Sequence, residues 1–166
     1  MATKDQMDFF KDTYFDEEKR YEQLTRRGEI YFSIISILLS GILLKLKDIA
    51  DLYKEMQRCF RIIGFAFFVL AFLFLGIAFL YLAQALRIRS YQAIIDFKKF
   101  RDDLEDTPPS DEDFFDDRIV NYMYATEKNE AVNEKRANAL SRSLIFILLG
   151  FLFVCSFVVS IIFQKI

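Results

Sequence analysis

Histidine and tryptophan are absent from this sequence, and cysteine occurs only at Cys59 and Cys155. Without histidine, the usual general base near neutral pH is missing, and so is the commonest metal ligand. Two cysteines so far apart do not make the ligand spacing of a zinc site. A glycine-rich phosphate loop and a nucleophile elbow are missing too. These absences point away from catalysis, and the expectation is a protein that is not an enzyme and needs no cofactor or metal. The net charge of −2 gives no bulk attraction to nucleic acid.

Apolar and charged residues are both plentiful, at 54% and 28% of the 166 residues. High values of both imply segregation along the chain. Three stretches carry no charge: 30–44, 62–86 and 143–164, of 15, 25 and 22 residues. A spanning helix needs about 20 apolar residues, which the second and third meet. The first is short, but Leu46 extends it and Lys45 can snorkel to the headgroups. Three transmembrane helices are therefore expected, with an interfacial or re-entrant helix as the other reading of the first. Twenty phenylalanines fit a surface that meets lipid. The residues before 30 carry both charge signs, which is the wrong flank for a cleaved signal peptide.

Three spans place the two termini on opposite sides. Lys and Arg near the span ends number 13 in the N-terminal segment and residues 87–142, against 6 in the 45–61 loop and the tail. The positive-inside rule then puts the N-terminus and the long middle segment in the cytoplasm. The expected layout has four parts. Residues 1–28 form a cytoplasmic amphipathic helix. Residues 29–86 hold the first two spans, with an outer loop at 45–61. Residues 87–142 form a cytoplasmic helical hairpin, and 143–166 the third span and a short tail.

Local patterns fill in this layout. Met7, Phe10, Tyr14, Tyr21 and Leu24 form a stripe that Glu17 interrupts. The outer loop has its own stripe at Ile49, Leu52, Tyr53, Met56 and Phe60. The second helix meets no glycine or proline after Leu86 and is expected to run from about 60 to about 105. Pro108 and Pro109 end it, and Ser110 is a good N-cap for the next helix. The polar run "ATEKNEAVNE", 125–134, lacks an apolar stripe, so a kink, loop or separate short helix is expected there.

Two sets of residues are candidates for function. Ser33, Ser36 and Ser40 recur at intervals of three and four, on one face of a helix. They line a narrow pore with Lys45 or Lys47 at its mouth, or each hydroxyl bonds a helix carbonyl or a neighbour. Arg26, Arg27, Arg87, Arg89, Lys135, Arg136 and Arg142 belong at the cytoplasmic end of the spans. They hold anionic lipid, or, repeated around an axis, make a basic collar for a nucleotide or oligonucleotide. Gly64, Ala71, Gly76, Ala78, Ala83, Gly150, Ser156 and Ser160 punctuate the spans and favour close helix approach, hence a homo-oligomer. The tip "DDLEDTPPSDEDFFDD" is rich in oxygen ligands but lacks the order of an EF-hand, so it reads as a solvated tip.

The stretches "YEQLTRRGEIYFSIIS", "LYLAQALRIRSYQ" and "NEKRANALSRSLIFIL" resemble the SLATT-like small membrane effectors of bacterial anti-phage defence. A third span departs from their simplest two-span version and leaves open the channel effector of the Hailong system. The resemblance implies a channel-forming toxin of the bacterial inner membrane, controlled by a nucleotide or DNA-oligomer signal from a partner nucleotidyltransferase. Depolarisation would then kill the infected cell, as abortive infection. The rival class is a membrane-anchored adaptor whose cytoplasmic hairpin docks a partner protein.

Overall fold

The computed structural model describes residues 3–55, 57–88 and 110–165. Among them the secondary structure is helical throughout. Helix α1 is Lys4–Leu44, α2 is Leu46–Glu55, α3 is Arg58–Arg87 and α4 is Asp111–Lys165. Three of the four, α1, α3 and α4, contain stretches long and apolar enough to cross a membrane. The expected continuation of the second helix to about 105, and the Pro108–Pro109 break, lie outside the described residues.

The chain divides into two units. One comprises Met1–Thr25 and Ile88–Arg136, the other Arg26–Arg87 and Ala137–Ile166. In the second unit α3 runs antiparallel to both other spans. Phe32 of α1 meets Phe79 of α3, while Phe68 meets Phe157 of α4. The buried stripe of α3 is Gly64, Ala71, Leu75, Ala78, Leu82 and Ala85, a three-and-four spacing that keeps one helix face turned inward. Small residues dominate it, so backbones approach closely. At Gly150 the approach is closest: an added Cβ would lie 2.8 Å from Leu75 Cγ and Cδ2. The buried Ser143 hydroxyl donates to the Ala78 carbonyl at 2.9 Å. Many of the phenylalanines serve this joint rather than lipid alone. Tyr81, Phe146, Phe74, Phe153 and Phe67 form a ladder of rings between α3 and α4, with centroid separations of 5.3–6.1 Å.

Along the charge-free stretches of this unit large apolar side chains face outward, Ile37, Leu44, Leu80 and Phe163 among them. Such a surface is untenable in water and ordinary in lipid. The expected outer loop is mostly helix. Lys45 turns the chain, its N–H shared between the carbonyls of Gly41 and Ile42. The Arg61 guanidinium donates to the Lys54 carbonyl at 2.8 Å and so satisfies an orphan group at the end of α2.

In the first unit Tyr14 and Leu24 are buried on α1, and Ala125, Asn129 and Asn133 on α4. Tyr14 packs on Tyr122. The Ser110 cap forms: its hydroxyl oxygen accepts from the Asp113 N–H at 3.2 Å, and its hydroxyl donates to the Asp113 carboxylate at 2.6 Å. The loop or separate short helix expected at 125–134 does not form, because α4 is continuous from Asp111 to Lys165. Ala125, Asn129 and Asn133 stand four apart and are all buried. The helix keeps an inward face here, made of amides in place of hydrocarbon.

Candidate functional site

The polar face of α4 meets the stretch of α1 where Glu17 interrupts the aromatic stripe. Asn133 Nδ2 donates to the Glu17 carboxylate at 2.7 Å and to the Glu17 carbonyl at 2.9 Å. Arg136, only 3% exposed, donates to Thr25 Oγ1 at 2.9 Å and to the Tyr21 carbonyl at 3.4 Å. Its guanidinium stacks 4.1 Å from the Tyr21 ring centroid. The Thr25 hydroxyl donates in turn to the Tyr21 carbonyl at 2.9 Å. Burial lowers the Arg136 pKa from its ordinary value, with Tyr21 opposing. A guanidinium nevertheless keeps its proton near neutral pH. The buried charge is therefore held by a carbonyl, a hydroxyl and an aromatic face, all from α1. Pattern reading singled out neither Asn133 nor Thr25. The available signal was Asn129 and Asn133 spaced four apart with Arg136 three further on.

The remaining described arginines of the basic set belong to the second unit. Gly28 of α1 is buried, and a Cβ there would lie 3.2 Å from Leu86, 3.7 Å from Leu140 and 3.8 Å from Leu82. This contact sets 28, 86 and 140 at one level. Arg26 and Arg27 precede Gly28, Arg87 follows Leu86 and Arg142 stands two beyond Leu140, so four guanidiniums gather at this end of the unit. All four are exposed. Arg142 also lies over the Tyr81 ring, 5.8 Å from its centroid. Arg89 is outside the described residues, and Lys135 is exposed on the other unit.

The serine row divides in its contacts. The Ser33 hydroxyl donates to the Glu29 carbonyl at 2.9 Å, the local bonding a helix offers any serine. Ser33 and Ser40 are exposed and Ser36 is half-buried. Ile35, the buried anchor of this stretch, stands about 100–160° round the helix from each of the three at 3.6 residues per turn. Ser33 and Ser40 thus face away from the chain's own packing, with Ser36 at its edge. Lys45 does not share its face. It lines a cleft on another side of α1 and pairs with Asp48 at 2.9 Å.

Of the small residues, Gly64, Ala71, Ala78, Gly150 and Ser160 are buried within the chain. Gly76 and Ala83 remain exposed on α3. Among the described residues, no group of three or more Cys, Asp or Glu is placed to hold a metal ion.

No protein-family model, curated protein or solved structure matches this chain. The functional reading therefore stands on geometry and on the resemblance of the quoted stretches.

Proposed function

We propose that this chain is the subunit of a homo-oligomeric ion channel of the bacterial inner membrane, an effector of anti-phage defence. The observation that carries the reading is the serine face of α1. A three-helix unit leaves a row of hydroxyls on an apolar span turned outward from its own core. Hydroxyls facing hydrocarbon gain nothing, whereas hydroxyls around an axis line a wet path. Gly76 and Ala83, unused within the chain, suit contact between subunits. The N-terminus lies in the cytoplasm. Arg26, Arg27, Arg87 and Arg142, repeated around the axis, form a collar that binds an anionic nucleotide or DNA oligomer and gates the pore. In the sequence Arg89 follows Arg87 by two positions, and within the first unit Arg136 holds α4 to α1.

The test is single-channel current from the purified protein in a planar bilayer. Discrete conductance steps are expected, and Ser36→Leu or Ser40→Leu lowers the unit conductance while assembly persists. Unchanged conductance in both variants overturns the pore-lining assignment. Arg87→Glu with Arg89→Glu weakens an anionic ligand, and unaltered gating by nucleotides counts against the collar.

The adaptor reading is favoured by one separate observation. The first unit has a groove of about 460 Å³ lined by Phe9, Phe10, Val120, Met123 and Tyr124, with Glu127 and Glu130 at its edge. A bilayer that stays silent after deletion of residues 1–28 and addition of nucleotides, with a monomeric protein that recovers one stoichiometric partner, selects the adaptor.

A further inference from the structure

A cleft of about 560 Å³ opens in the second unit between α1 and α4, with α3 as its floor, and its size falls within the roughly 300–1,000 Å³ of small-molecule sites. Its walls are aliphatic and aromatic, from Ile37 to Ile42 on α1, from Val154 to Ile162 on α4, and Phe68 and Ala71 on α3. Charge enters at one end alone, where Lys45 and Asp48 stand. Gly41 leaves the wall open, since a Cβ there would meet nothing within 4 Å.

Dimensions and polarity together select the occupant. From Ile37 to Lys45 the helix advances eight residues, about 12 Å at 1.5 Å per residue. One leaflet of hydrocarbon is about 15 Å deep, half of the roughly 30 Å core. The cleft therefore runs nearly the depth of one leaflet, and its charged end falls where headgroups begin. Its lining is that of an amphiphile: a long dry slot below one ammonium. The Lys45–Asp48 pair is exposed on both sides, at 71% and 62%, so the ammonium exchanges readily between Asp48 and a phosphate.

We propose that this cleft holds one acyl chain of a phospholipid, with its phosphate at Lys45. The lipid is a stoichiometric component of the subunit, separate from the serine face and from the arginine collar. It completes the packing of α1 on α4 at the end where the chain's own side chains leave a gap.

The experiment is native mass spectrometry and lipid extraction of the full-length protein, purified in mild detergent. A phosphatidylethanolamine with a diazirine halfway along one acyl chain serves as a photo-probe. One retained phospholipid per chain is expected, cross-linked to Phe68, Val158 or Ile161. In Gly41→Phe retention falls about tenfold or more, since the ring takes the apolar surface the chain would cover. Ile62→Phe, on an outward position of α3, leaves retention unchanged. Lys45→Glu lowers it with helical content preserved. Cross-links scattered over Ile62, Leu80 and other outward positions would mean boundary lipid alone and overturn the proposal. Loss of assembly in Gly41→Phe with the lipid count intact would identify a second copy of the chain as the occupant, with the same result. The cross-link map is read on the unaltered protein, so it decides the matter even if a variant fails to fold. None of these readouts depends on conductance.

Discussion

At the scale of single residues, Gly150 and Arg136 carry the heaviest structural duties. Replacing Gly150 by alanine forces its Cβ against Leu75, and overpacking of this kind costs about 1–3 kcal/mol. The expected result is a lower unfolding temperature for Gly150→Ala in detergent, with partial recovery when Leu75→Ala is added. No recovery in the double variant would show that the contact is not what the glycine serves. Arg136→Met keeps much of the stem's packing but removes the guanidinium's hydrogen bonds to Thr25 Oγ1 and the Tyr21 carbonyl, at a cost of about 1.5–3 kcal/mol for hydrogen bonds to a charged group. The sign of its pH linkage follows from burial. A lowered folded-state pKa makes the unfolded chain the better proton binder, so stability tied to Arg136 rises with pH only in the alkaline window between its folded and unfolded pKa values. The difference between Arg136→Met and the parent should therefore stay flat around neutral pH. A difference that titrates there would reveal a second ionisable group acting through this contact. Gly150 was visible in the sequence as a small residue in a span. Its partner was not, because the choice between a contact within the chain and one between chains depends on register, which spacing alone does not fix.

Helices were legible where hydrocarbon marked them and misread where it did not. The three charge-free runs fall within α1, α3 and α4, and the Ser110 cap stands at the predicted start of α4. The N-terminal amphipathic helix and the first span form one continuous helix, with Gly28 as a contact point within it. One stretch was misread. The polar run 125–134 continues α4, and its inward face is Ala125, Asn129 and Asn133, which no apolar stripe marks. A buried amide is as periodic as a buried leucine, but it becomes readable only once its partner, here Glu17, is known. The cap offers a direct test. Ser110→Ala removes an acceptor worth about 1 kcal/mol, so amide exchange at Asp113 and Phe114 should quicken while the rest of α4 is unaffected. Unchanged exchange at those two amides would mean the first turn is held by other contacts.

For the whole molecule, sidedness is the property that most constrains function. Cys59 is exposed at the start of α3, whereas Cys155 is half-buried within the third charge-free stretch. The proposed orientation, N-terminus in the cytoplasm, predicts that a membrane-impermeant maleimide labels intact cells at Cys59 and loses that label in Cys59→Ser. Labelling that requires lysis would reverse the orientation and place the arginines outside. The polar contact between α1 and α4 also sets an order of events during synthesis. Glu17 and Asn133 are separated by 116 positions, and ribosomes add about 5–20 residues per second. Glu17 therefore waits roughly 6–23 s for its amide, and Tyr14 nearly as long for Tyr122. Over that interval the nascent chain needs a holdase or the bilayer surface to shield it, and slowing elongation should raise the fraction that aggregates before its last span is made.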